Sequence, residues 1–80
     1  MIESVIFIHD DEKWRISHEK NSILLQKSEK NEDGTFSDAF TNCKNTTSIE
    51  KALEIVSRMS ESSIERVIHS YDNAERSKIW

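Results

Sequence analysis

The stretch TSIEKALEIVSRM, residues 47–59, decides the fold. Ile49, Ala52, Leu53, Val56 and Met59 recur at three- and four-residue spacing, so a helix gathers them on one stripe that has to be buried against another element. Thr47 with Glu50 forms a capping-box pattern that opens this helix, and Ser48 is an alternative N-cap one residue on. Downstream, the hydroxyl-rich run MSESS at 59–63 competes for backbone hydrogen bonds, and Ser62 with Glu65 repeats the capping box. Ile64, Val67, Ile68, Tyr71 and Ala74 then make a second apolar stripe. Two helices are expected over about residues 48–79. The absence of proline leaves one long bent helix as the alternative.

Upstream, the pattern changes from helical to alternating. SVIFIH at 4–9 is β-branched and aromatic and apolar on both faces, as in an interior strand or an edge strand covered by a partner. After the polar turn Asp10–Lys13, Trp14, Ile16 and His18 alternate with Arg15 and Ser17, marking a second strand with one wetter face. SILLQKSE at 22–29 supplies a third. Asn31, Glu32, Asp33 and Gly34 form the clearest turn, because the one glycine of the chain follows an aspartate and takes positive φ at no steric cost. Phe36 to Cys43 alternates again and places Phe36 and Phe40 on one face. Four strands over about residues 4–43, joined by short loops, predict an antiparallel meander. The expected fold is α+β, a single domain over 1–80: a four-stranded antiparallel β-meander followed by two C-terminal helices packed on one face.

Eighty residues can bury only about 60 to 65 per cent of the surface the unfolded chain exposes, enough for one modest core. Eleven Lys and Arg against fifteen Asp and Glu leave a net charge of −4, which on average repels a phosphate backbone. Direct nucleic-acid binding is therefore disfavoured. The single cysteine, Cys43, cannot form an internal disulfide, which fits a reducing cytoplasm. No secretory leader pattern opens the chain and no apolar run is long enough to span a membrane, so no membrane role is expected.

His9, Asp10, Asp11 and Glu12 bring imidazole and carboxylates together, as metal and acid–base sites require. Four consecutive residues of a strand and turn point in different directions, however, and the cluster reads as a solvated turn. His18 and His69 stand alone, and neither has a second histidine at ligand spacing. Cys43 at the end of a strand reads as a small packing residue. The serines occupy no nucleophile-elbow pattern, and a single glycine excludes phosphate- and dinucleotide-binding loops. No catalytic residue, cofactor or metal is expected, and the chain reads as a non-enzymatic protein. Lys13, Trp14 and Arg15, with Lys27 and Lys30, offer a small basic and aromatic patch, the type of surface on which single strands stack. This supports the alternative reading as a nucleic-acid-binding module, against the flanking acids. The acidic balance supports a protein partner instead, since an acidic surface with exposed aromatics complements a basic groove.

W-R-I at Trp14–Ile16, N-S-I-L-L-Q-K at Asn21–Lys27 and S-I-E-K-A-L at Ser48–Leu53 resemble small phage and prophage accessory proteins, over roughly Trp14 to Met59. The resemblance implies a small sheet followed by helices. It also implies an accessory or counter-defence role of the anti-CRISPR type, in which the protein binds and inhibits or adapts a host nucleic-acid-processing protein. The expected partner-binding residues, read from the sequence itself, are Asp10, Asp11, Glu12, Trp14, Arg15, Glu32, Asp33, Tyr71 and Trp80. A tryptophan at the last position is either folded onto the core or presented to a partner, with a homodimer the simplest such partner.

Overall fold

The computed structural model describes residues 3–76. Strands β1 (Glu3–His9), β2 (Glu12–Glu19), β3 (Ser22–Lys30) and β4 (Phe36–Thr46) precede helices α1 (Ile49–Ser60) and α2 (Ile64–Arg76). The strands form one antiparallel sheet in the order β1-β2-β3-β4, so the meander and the helical pair expected from the pattern are both present.

Turn chemistry sets the meander. Asp10 and Asp11 hold φ of 50° and 63°, so β1 and β2 are joined by a two-residue turn with positive φ at both central positions, a conformation that, after glycine, short polar side chains tolerate best. Between β3 and β4, Gly34 takes φ of 88°, and its N–H donates to the Asn31 carbonyl at 3.1 Å. In α1, Ser48 is the N-cap and its hydroxyl accepts from the Lys51 N–H at 3.2 Å. The chain leaves α1 through Glu61 at φ 54°, and this left-handed residue separates the two helices where a single bent one had been the alternative. Ser63 rather than Ser62 opens α2, its hydroxyl accepting from the Arg66 N–H at 3.4 Å, because the Ser62 hydroxyl is engaged by His9.

The core lies between one face of the sheet and both helices. Val5, Phe7, Trp14, Ile16, Ile23 and Leu25 from the strands meet Ala52, Leu53 and Val56 of α1 and Val67 and Tyr71 of α2. α2 packs on β1, and α1 packs on β3, β4 and α2. The stripe that opened the reading is buried from Ala52 to Val56, with Ile49 half-buried. Met59 is a correction: it is 51% exposed. Four residues come closer than three to a helical turn of 3.6, so the stripe continues from Val56 to Ser60, which is half-buried and back-bonds the Val56 carbonyl at 2.6 Å.

Of the two expected placements, interior strand or edge strand, β1 takes the edge, and only its Val5, Phe7 and His9 side is covered, leaving Ile6 and Ile8 45% and 58% exposed on the other. No helix of the described residues is long and apolar enough to cross a membrane.

Candidate functional site on the open sheet face

Because side chains alternate along a strand, the cross-strand register assigns each residue to one face. Phe7 pairs with Trp14 and Val5 with Ile16 on the helix-covered face; Ile6 pairs with Arg15 and Ile8 with Lys13 on the open one. Arg15 pairs in turn with Gln26, and Gln26 with Asn42. The open face therefore carries a row running Ile6, Arg15, Gln26, Asn42, flanked by Ile8 and Lys13.

Phe40 of β4 organises the cations. The Arg15 guanidinium carbon lies 4.2 Å from its ring centroid and Lys13 Nζ lies 5.8 Å from it. A cation over the ring face is attracted by the ring quadrupole. Arg15 Nε donates to Gln26 Oε1 at 2.7 Å, and Gln26 Nε2 donates to Asn42 Oδ1 at 2.7 Å. Gln26 is itself buried, so the guanidinium is held from one side by a fixed amide and from below by a ring.

Several expected partner residues lie elsewhere. Trp14 is fully buried beneath the helices, so the expected surface patch of Lys13, Trp14 and Arg15 does not exist as one surface: alternation sends Trp14 to the core and leaves the two cations outside. Lys27, also assigned to that patch, sits on the Trp14 side, its Nζ 5.5 Å from the indole ring. Trp14 Nε1 is the one buried side-chain polar atom among the described residues without a hydrogen-bond partner. Tyr71 is likewise a core residue, 4% exposed, meeting Phe7 edge-on with ring centroids 5.8 Å apart at 87°. Burial pushes its phenol up to about 12, with Glu75 and Asp72 adding to the effect. Trp80 falls outside the described residues.

The acidic turns are bound up within the fold. Asp10 reaches Arg66 at 3.5 Å, Asp11 pairs with Lys30, and Glu12 pairs with Lys27. Asp33 accepts from the Thr35 hydroxyl at 2.6 Å and the Thr35 N–H at 3.0 Å, which hold its carboxyl below the usual range. Glu32 is exposed in the same turn.

His9 is not part of a solvated turn. It shares the face of Val5 and Phe7 and is 4% exposed, with Nε2 2.6 Å from Ser62 Oγ and Nδ1 3.0 Å from Ser70 Oγ. Ser62 Oγ also lies 2.8 Å from Ser60 Oγ, so one imidazole ties β1 to the end of α1, the helix junction and α2. The alternation Val5, Phe7, His9 puts the imidazole on the side of two apolar residues, but Ile6 and Ile8 make the opposite side equally apolar, so the sequence did not tell which side is covered.

A groove of about 580 Å³ is lined by Cys43 and Thr41 and by the Glu12–Lys27 and Asp11–Lys30 pairs, whose charges are mutually compensated. Burial pushes the Cys43 thiol up, against the opposing pull of Lys27, which disfavours the thiolate. Among the described residues no three His, Cys, Asp or Glu side chains converge as a metal set. No family model matches the chain, and no curated protein or solved structure matches it.

Proposed function

We propose that this chain is a non-enzymatic protein-binding module that docks its partner on the open face of its sheet. The observation that carries this reading is the pair Ile6 and Ile8, exposed on an edge strand beside two cations stacked on Phe40, on a face no described helix covers. Exposed aliphatics clustered with an aromatic ring and an Arg have the composition of an interface core. Asp10, Asp11, Glu12 and Asp33, engaged within the fold, are poor candidates for the docking surface. The resemblance over Trp14 to Met59 directs the search for a partner to a host nucleic-acid-processing protein bound by a phage-type accessory factor. A reducing cytoplasm agrees with the single thiol.

Capture from a lysate of the source cells tests the reading. The immobilised protein should retain a specific partner, and Ile6→Ser with Ile8→Ser should release it, while Asp11→Gly in the β1–β2 turn should not. Identical capture by all three proteins would overturn docking on this face.

The Lys13, Arg15 and Phe40 group favours a second reading, a single-stranded nucleic acid stacked on the sheet. It predicts a mobility shift that weakens steeply with salt. Two cations in a chain of net charge −4 make this the weaker reading.

A further inference from the structure

Resting on the protein-binding reading, we infer that the open face takes an extended acidic segment of the partner, with a carboxylate seated on the Arg15 guanidinium and a second on Lys13. Three observations lead there. First, the ion pairs among the described residues assign Asp10, Asp11 and Glu12 to Arg66, Lys30 and Lys27, and leave Lys13 and Arg15 with no carboxylate. The chain is acidic, yet the centre of this face is cationic.

Second, Arg15 is already oriented. Its Nε–H is spent on Gln26, whose amide is fixed in turn by Asn42, and Phe40 supports the plane of the guanidinium. No hydrogen bond among the described residues takes the two terminal nitrogens, which form the fork that carboxylates accept in a bidentate way. Fixing the fork before binding removes part of the ordering cost.

Third, the spacing selects an extended ligand. Lys13 and Arg15 are two positions apart on one strand, about 6.6 Å, which is also the separation of residues i and i+2 in an extended peptide. A Glu-x-Glu segment matches both cations at once, and Ile6 and Ile8, directly across from Arg15 and Lys13 on β1, meet the aliphatic surface alongside the segment. A second copy docked face to face would oppose these cations with its own, which costs affinity. A nucleic acid would leave Ile6 and Ile8 without a role.

The probe is a capped synthetic heptapeptide, Leu-Leu-Glu-Val-Glu-Leu-Leu, titrated into the isotope-labelled protein at low salt. Amide resonances of Ile6, Ile8, Lys13, Arg15 and Phe40 should shift, and the peptide with both Glu replaced by Gln should bind about tenfold more weakly or worse. Arg15→Gln should weaken the Glu peptide by a similar factor while its spectrum stays dispersed, and Lys13→Gln serves as a second variant should Arg15→Gln misfold. Equal binding of the Glu and Gln peptides overturns the carboxylate site. Shifts at these amides produced instead by a fifteen-nucleotide oligo-dT assign the face to nucleic acid, and shifts produced by raising protein concentration alone assign it to a second copy; either result overturns the proposal. The two levels separate cleanly: partner capture lost in the Ile6→Ser, Ile8→Ser protein but kept in Arg15→Gln upholds docking on this face and rejects the acidic segment.

Discussion

His9 Nε2 and Ser62 Oγ lie 2.6 Å apart across 53 residues of sequence, and this contact closes the first strand onto the junction of the two helices. With Ser70 on the other ring nitrogen, a single buried imidazole serves three elements at once.

Removing it should therefore destabilise the whole domain. His9→Ala deletes both hydrogen bonds and the packing around them, and a loss of about 2 to 4 kcal/mol is expected from urea denaturation. Ser62→Ala, which leaves the Nδ1 contact intact, should cost roughly 1 kcal/mol. A His9→Ala protein as stable as the parent would show that the seam is incidental.

Trp14 and Leu53 are core residues from opposite layers. Trp14→Ala should cost about 3 to 5 kcal/mol by leaving a cavity under α1 and α2. Leu53→Asp places an unpaired charge at a site 5% exposed and should abolish the cooperative thermal transition seen by circular dichroism. Loss of partner capture in either protein with the fold intact would contradict their placement.

The acids of the first turn are predicted to act through backbone conformation. Replacing Asp10 by Asn and Asp11 by Gly suits a turn with two positive φ values better than the native pair. It gives up two exposed ion pairs of small worth, so stability should stay within about 1 kcal/mol of the parent or rise. A larger loss in the melting curve would mean that Arg66 and Lys30 depend on those carboxylates.

Tyr71 is the one tyrosine of the chain, so its ionisation can be followed by ultraviolet absorbance alone. Its folded pKa, about 12, lies above the ordinary tyrosine value of 10. The neutral phenol is the form the fold favours, so its contribution is complete below pH 10 and is lost as the pH rises from there toward 12. The difference in thermal stability between the parent and Tyr71→Phe should be flat up to pH 10 and then move in favour of the variant. A difference that stays constant to pH 12 would contradict the burial of the phenol.

The sequence by itself determined the elements and their order, because those depend on local physics. Period-two and period-3.6 apolar spacing, the Asp33–Gly34 turn and the serines at the helix starts are written into neighbouring residues. Four strands joined by short loops could hardly form anything but a meander. The tertiary structure decided which face of the sheet is covered. Ile6 and Ile8 are as apolar as Val5 and Phe7, so only the landing of α2 on β1 distinguishes the two sides, and that landing joins residues more than fifty positions apart. The same choice turned Trp14 and Tyr71 from expected contact residues into core, paired Asp10, Asp11 and Glu12 with cations distant in sequence, and left Arg15, Lys13 and Phe40 gathered on the open face.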